Sequence, residues 1–97
     1  MFEQERRFIT QQIDNKLPIE LILLLWNMID EMNIKKDYLQ VFRITKEDNH
    51  IHVIHSQECP QYLDEVDLHI EININYALKI YVIDDGTHAT MLLADEY

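Results

Sequence analysis

The chain contains very few residues that interrupt regular secondary structure. Its 97 residues include one glycine, Gly86, and two prolines, Pro18 and Pro60. Because a phosphate-binding loop is built from several glycines, the usual nucleotide-binding folds are excluded. Without a linker or an internal repeat, the sequence predicts a single globular domain over residues 1–97.

Cysteine and long apolar runs are also scarce. Cys59 is the only cysteine, so an intramolecular disulfide is excluded and a reducing compartment is favoured. No apolar run approaches the roughly 18 residues that suggest a membrane span. The charged first residues lack the apolar region of a signal peptide. These features predict a cytoplasmic protein that does not contact a membrane.

Basic residues are few, since 8 Lys and Arg face 18 Asp and Glu for a formal net charge of -10. Binding to a nucleic-acid backbone needs clustered Lys and Arg that displace counterions, so direct nucleic-acid binding is excluded. The predicted partner is a protein, either a second copy of the chain or a host protein.

The longest helical pattern covers residues 18–33. Pro18 suits the first turn of a helix, and Glu20 lies near the positive end of the helix dipole. One side of the predicted helix is apolar, with Ile22, Leu25, Trp26, Ile29 and Met32.

The opposite side of this predicted helix is polar but contains two leucines. Leu23 lies inside the polar arc, which also includes Asn27, and Leu24 lies at its edge. A core on the other side of the helix does not need these two leucines. We therefore predict that Leu23, Leu24 and Asn27 form an interaction surface, for a homodimer or for another protein.

Most of the remaining chain carries strand signals. Apolar residues alternate with polar residues from Val66 to Asn75, which predicts a half-buried strand. Residues 39–46 and 51–56 flank a turn centred on Asp48 and Asn49, and this hairpin would pair Ile44 with Val53 and Phe42 with His55. Arg43, Thr45, His50 and His52 would then occupy the other face.

Asp85-Gly86 predicts a second hairpin with a type I′ turn, because that turn needs positive φ at both central positions. Extending the pairing from this turn places three apolar pairs on one face: Val82 with Ala89, Ile80 with Met91, and Leu78 with Leu93. Residues 89–97 also contain good helix formers, so a final helix is an alternative.

Residues 7–13 also allow two interpretations. A strand on Phe8, Ile9, Thr10 and Ile13 is predicted, with a helix as the alternative. These elements together predict an α+β fold, in which one main helix (about 18–33) packs on a largely antiparallel sheet of five or six strands.

Several short segments of the chain resemble those of one small protein family. The matching segments are Arg7-Phe8-Ile9-Thr10, Leu17-Pro18 with Glu20, His55-Ser56-Gln57-Glu58, Val82-Ile83-Asp84-Asp85, and Thr90 to Tyr97. The chain is similar in these segments to the domain of unknown function 960 family. This resemblance implies a cytoplasmic protein of Gram-positive bacteria or their phages, encoded in some cases by prophages or mobile elements, and it implies no site residues. One variant of the protein-binding hypothesis is an acidic phage inhibitor that occupies the basic channel of a host nucleic-acid-binding enzyme.

Histidines are the main candidates for metal ligands. His50 and His52 share a strand face and could chelate a transition metal together, and His69 would join them if its strand were their neighbour. His55 falls on the opposite face, where a hydrogen-bonded histidine at the edge of the core is expected. Solvent-exposed strand residues are the simpler interpretation of His50 and His52. No metal and no cofactor are therefore predicted.

Catalytic chemistry finds little support. A nucleophile built from Cys59, His55 and Glu58 would lack a glycine-built oxyanion hole and a helix N-terminus. Asp84 and Asp85 precede Gly86, where turn formation is their ordinary role. No catalytic residue is predicted. The predicted function is a non-enzymatic protein-binding or regulatory module, and the alternative is a small-ligand or metal-binding domain on the His50/His52/His69 face.

Overall fold

The computed structural model describes residues 1–71 and 77–97 and has an α+β fold. The strands are β1 (Arg7–Ile9), β2 (Leu39–Glu47), β3 (His50–Gln57), β4 (Tyr62–Leu68), β5 (Leu78–Asp84) and β6 (Ala89–Leu93). The α-helices are α1 (Gln11–Lys16) and α2 (Ile19–Asp30), and short 3₁₀ turns cover Gln4–Arg6 and Ala94–Glu96.

The strands form one six-stranded sheet in the order β1-β6-β5-β2-β3-β4. All neighbouring pairs are antiparallel except β1 and β6, which are parallel. The predicted fold class, one main helix on a largely antiparallel sheet of five or six strands, is therefore confirmed.

Helix α2 supplies the centre of the core. Its buried side chains are Leu21, Ile22, Leu25, Trp26, Met28 and Ile29. They form one cluster with the side chains on one face of the sheet, including Phe42, Ile44, Val53, Ile80, Val82 and Met91. Ile13 and Leu17, in and just after α1, belong to the same cluster. Burying each such aliphatic side chain contributes roughly 1.5–3 kcal/mol, so this face of the sheet depends on the helices.

Helix α2 ends earlier than its apolar pattern predicts. Glu31 is the C-cap, and the Met32 N–H donates to the Ile29 carbonyl, which is the tighter bond spacing of a 3₁₀ turn. Met32 stays buried although it lies beyond the helix. The predicted end at residue 33 is thus wrong by about one turn, because a buried apolar residue continues the pattern after the helix has stopped.

The prediction for residues 7–13 is correct only for its first part. Strand β1 covers Arg7–Ile9, and Thr10 is the N-cap of α1. The Thr10 hydroxyl oxygen accepts the Ile13 N–H at 3.3 Å, which satisfies a donor at the start of the helix. Ile13 is buried as a helical residue and not as a strand residue.

The β2–β3 hairpin has the predicted register, because Phe42 pairs with His55 and Ile44 with Val53. The predicted strand from Val66 to Asn75 is displaced, because β4 covers Tyr62–Leu68. Leu68 pairs with Ile51, the second residue of β3. Strand β3 therefore has almost no backbone left to pair with residues beyond 69. Ile70 lies outside the strand and is exposed, and residues 72–75 of the prediction lie outside the described residues.

The β5–β6 hairpin is correct in its faces and wrong in its register. Val82 pairs with Met91 and not with Ala89, and Asp84 pairs with Ala89. The connection is therefore the wider loop 85–88, in which Gly86 alone has positive φ, at 96°. The Asp85 carboxylate holds this loop by accepting the N–H groups of Thr87 and His88, at 2.9 and 3.0 Å.

The alternative of a helix over residues 89–97 is wrong. Strand β6 runs to Leu93, and only the 3₁₀ turn Ala94–Glu96 follows it. The Glu96 carboxylate accepts the Leu93 N–H at 3.2 Å. This contact stabilises a single turn at the end of the strand.

The positive φ of Gly86 leads to a stability prediction. A Cβ at this position would meet nothing within 4 Å, so any penalty comes from the backbone conformation and not from a clash. Gly86→Val is expected to lower the free energy of unfolding by at least about 1 kcal/mol in urea denaturation. Gly86→Asn should lower it less, because asparagine tolerates positive φ better. Equal denaturation midpoints for wild type and Gly86→Val would contradict the assigned loop.

Candidate functional site

Among the described residues, one face of the sheet carries no helix, because both α-helices pack on the other face; we call the former the open face. The strand register defines a row of side chains across this open face. The row contains Leu92, Tyr81, Val41, Ser56 and Leu63, in the order β6-β5-β2-β3-β4. Leu63 is 63% exposed, whereas the other four are partly buried.

A second apolar row lies beside the first. Phe8 pairs with Thr90, Thr90 with Ile83, and Ile83 with Leu39. Phe8 is 57% exposed. We call the apolar residues of both rows the apolar band, namely Phe8, Leu39, Val41, Leu63, Tyr81, Ile83 and Leu92. Ser56 and Thr90 interrupt the band, and its ends, Leu63 and Phe8, are its most exposed residues. Clustered apolar side chains that remain accessible on a protein surface are typical of an interaction site.

A charged row follows on the other side of the first row. Arg43 pairs with Lys79 on β5 and with Ile54 on β3, and Ile54 pairs with Glu65 on β4. Two cations therefore lie over β5 and β2, and one carboxylate lies over β4. The Lys79 ammonium is 5.4 Å from the centre of the Tyr81 ring, which is a cation–π distance.

The far end of the open face carries a histidine–carboxylate cluster of His50, His52, His69, Glu65 and Asp67. His52 lies directly opposite Asp67. Its Nδ1 is 2.6 Å from Asp67 Oδ1, and its Nε2 is 3.2 Å from Glu65 Oε1. The hydrogen bond to Asp67, followed by that to Glu65, raises the pKa of His52, and the bond to His52 lowers the pKa of Asp67. A protonated ring that donates from both nitrogens fits this geometry best.

His50 and His69 complete this cluster. His50 Nε2 is 3.7 Å from Asp67 Oδ1, and the ring centres of His50 and His69 are 5.6 Å apart. The structure therefore brings together the three histidines that the sequence singled out. Within residues 1–71 and 77–97, however, no three His, Cys, Asp or Glu side chains are placed to hold a metal ion.

His55 lies in the core and not at its edge. It is fully buried, and its ring stacks on Phe42 with the ring centres 4.4 Å apart. Its Nε2 is 2.6 Å from the Gln40 side-chain oxygen, while Nδ1 has no hydrogen-bond partner among the described atoms. Burial lowers the pKa of His55 to about 4, so the ring is neutral at physiological pH.

The buried glutamine network was missed at the sequence level. Gln57 accepts the Asp37 N–H at 2.8 Å and the Gln40 side-chain N–H at 2.6 Å. Its own amide nitrogen donates to the carbonyls of Lys35 and Pro60, at 2.9 and 2.8 Å. This network joins the segments on either side of the β2–β3 hairpin. Strand parity was the available signal, since Gln40 occupies the same face as Phe42.

The residues considered for catalysis do not assemble. Cys59 is exposed, whereas the His55 ring is buried and its Nε2 contacts Gln40. Asp84 is buried and accepts the N–H groups of Phe2 and Gly86, at 2.6 and 2.8 Å. Hydrogen bonds from the His88 backbone and from Thr87 lower the pKa of Asp85 to about 2. Both aspartates therefore have structural roles at the hairpin.

The predicted helix surface is smaller than the apolar band. Leu23 is 59% exposed, Leu24 packs partly against the core, and Asn27 is exposed. Ile19, one turn before Leu23, is 58% exposed. Leu23, Leu24 and Asn27 remain a predicted interaction surface. Among the described helices, none has the length and apolar character that crossing a membrane requires.

The fold and the open face define a small α+β protein with a one-sided core. The chain belongs to the domain of unknown function 960 family, described as a staphylococcal protein of unknown function, whose family model matches residues 6–96. It is similar to a protein of unknown function from Enterococcus faecalis, of known crystal structure. The two share 30% identity with a TM-score of 0.84, over 100% of this chain and 98% of that chain. None of the curated proteins matches the chain.

Two histidines are expected to titrate in opposite directions from the ordinary value of 6.5. Nuclear magnetic resonance of the ring protons should show His55 neutral until about pH 4 and His52 protonated above pH 6.5. Because the folded pKa of His55 is lowered, its contribution to stability is present above pH 6.5 and is lost as the pH falls toward 4. This loss is on the order of 3 kcal/mol. Titration of His55 near 6.5 would contradict its burial.

Proposed function

We propose that this protein is a non-enzymatic protein-binding module, and that the open face of its sheet contacts another protein chain. The apolar band is the observation that supports this proposal. It crosses five of the six strands and includes Phe8 and Leu63, which are 57% and 63% exposed. A protein with both helices on one side of its sheet gains stability when a partner removes this band from water.

The polar groups around the band favour a protein partner over a small ligand. The face carries both Arg43 and Glu65, of opposite charge and on separate strands, whereas ligand sites are usually concave with a few converging polar groups. A cytoplasmic location and an origin in a prophage or mobile element are part of this proposal. The net charge of -10 is also compatible with an acidic phage inhibitor as one form of the module.

Matched leucine substitutions test the proposal. Leu63→Asp changes the open face and Leu23→Asp changes the helix surface, at positions with nearly equal exposure of 63% and 59%. We expect the tagged wild type and Leu23→Asp to retain the same chain from a lysate of the encoding organism, and Leu63→Asp to lose it. Purified components should reproduce this difference in a direct binding measurement.

Phe8→Asp provides a second variant on the band, on β1 at the far edge of the sheet from β4. Retention of the same chain by wild type and Leu63→Asp, with loss only in Leu23→Asp, would move the site to Leu23, Leu24 and Asn27. Circular dichroism must show that all variants are folded before binding is compared.

A metal-binding domain is the second candidate function. The register favours it to a limited extent, because it places His52 opposite Asp67 and brings His50 beside His69. A metal ion would first have to displace the carboxylates from His52, since imidazole must be deprotonated to act as a ligand.

We therefore expect protein dialysed at neutral pH to retain no stoichiometric zinc, as measured by elemental analysis. Tight zinc that is lost in His50→Ala plus His52→Ala would support the metal-binding function instead. His88→Ala is the control, because His88 lies in the β5–β6 loop and contacts Asp85 and Thr87.

A further inference from the structure

We propose that the chain on the open face is a second copy of this protein, packed sheet to sheet about a two-fold axis. The axis runs parallel to the strands and passes between β2 and β3. This inference rests on the proposed protein-binding function and names its partner. The argument depends on which side chains the strand register brings opposite each other.

A two-fold axis in this position imposes a fixed correspondence between strands. It places β2 over β3 of the second copy, and β5 over β4 of the second copy, and each contact occurs twice. Two sheets packed face to face lie about 10 Å apart, with strand directions within about 30°. Because the axis runs parallel to the strands, the rotation leaves positions along the strands unchanged. Residues in the same row of the register therefore meet across the interface.

The apolar contacts of this arrangement come from the first row. Tyr81 on β5 meets Leu63 on β4 of the second copy, and Val41 on β2 meets Ser56 on β3. Tyr97 extends the contact because its ring packs edge to face on Tyr81, with the ring centres 5.8 Å apart. Leu63, 63% exposed in the single chain, thereby becomes covered by an aromatic side chain.

The charged row decides the position of the axis. With the axis between β2 and β3, Lys79 meets Glu65 of the second copy, and Arg43 meets Ile54. An axis between β5 and β2, at the centre of the six strands, would instead place Lys79 over Arg43. Like charges at a buried contact disfavour that alternative, so the charges favour the axis between β2 and β3.

Net charge opposes this dimer, because each copy carries -10 and the two copies repel each other. Exchanging the charges of Lys79 and Glu65 distinguishes the specific contact between them from this general repulsion. Lys79→Glu and Glu65→Lys each place like charges at both symmetry-related contacts. A mixture of the two variants restores both contacts, and it carries the same total charge as two wild-type copies.

Sedimentation equilibrium at about 0.15 M salt provides the test. At this salt concentration, electrostatic interactions between exposed charges are screened over roughly 8 Å. The wild type is expected to dimerise. Each single variant is expected to dimerise at least about tenfold more weakly than the wild type. The equimolar mixture and the double variant Lys79→Glu plus Glu65→Lys should both return to within about threefold of wild type. Lys46→Glu is the control for net charge, since Lys46 is exposed and has the core-face parity of Ile44.

Three results would overturn the proposal. The first is a wild type that stays monomeric at millimolar concentration. The second is stronger dimerisation of Glu65→Lys than of wild type, as a pure net-charge effect requires. The third is a mixture that associates no better than the single variants. If the tagged protein instead retains a different chain through Leu63 and never its own copy, the second copy is excluded while the protein-binding function stands.

Discussion

The packing of both α-helices against a single face of the sheet determines the properties of the rest of the molecule. Helices α1 and α2 follow one another between β1 and β2 and share one buried cluster with the sheet. The strand period of two then assigns every second side chain to the uncovered face. Within residues 1–71 and 77–97, no helix lies above Tyr81 and Val41 for this reason. Both helices pack on one face of the sheet, and the side chains on the other face contact either solvent or a partner.

Ionic contacts in this acidic chain lie mostly at the surface, while Gln40, His55 and Gln57 form their buried side-chain contacts as uncharged groups. The Arg7 guanidinium contacts Asp30 and the Phe2 carbonyl and lies 4.8 Å from the Trp26 ring centre, at the partly buried margin of α2. Inside the sheet, Gln40 and His55 pair as uncharged groups. A buried ion pair would incur a large desolvation cost, which a neutral amide–imidazole contact avoids.

The sequence predicted those features that depend on short-range periodicity. The faces of β2, β3, β5 and β6 followed from alternation, and the β2–β3 register followed from its short turn. Features set by specific side-chain contacts were not predictable in the same way. Asp85 stabilises a wider loop than Asp-Gly alone suggests, and that loop shifts the pairing of Val82. Whether His50 and His69 lie together depended on the pairing of β3 with β4, which no local pattern contains.

Association through the edges of the sheet is disfavoured by the charged side chains of one edge strand and by the short length of the other. Strand β4 is an edge strand, and it carries Asp64, Glu65 and Asp67. The Asp64 carboxylate accepts the Glu65 N–H at 3.0 Å, so a backbone donor that an added strand would need is already occupied. Charged residues and covered donors on an edge strand prevent strand addition in many β proteins. At the other edge β1 has only three residues, which offers a short template for pairing. The proposed apolar contact is therefore more compatible with the face of the sheet, where Leu63 and Tyr81 lie in one row and are separated by Val41 and Ser56.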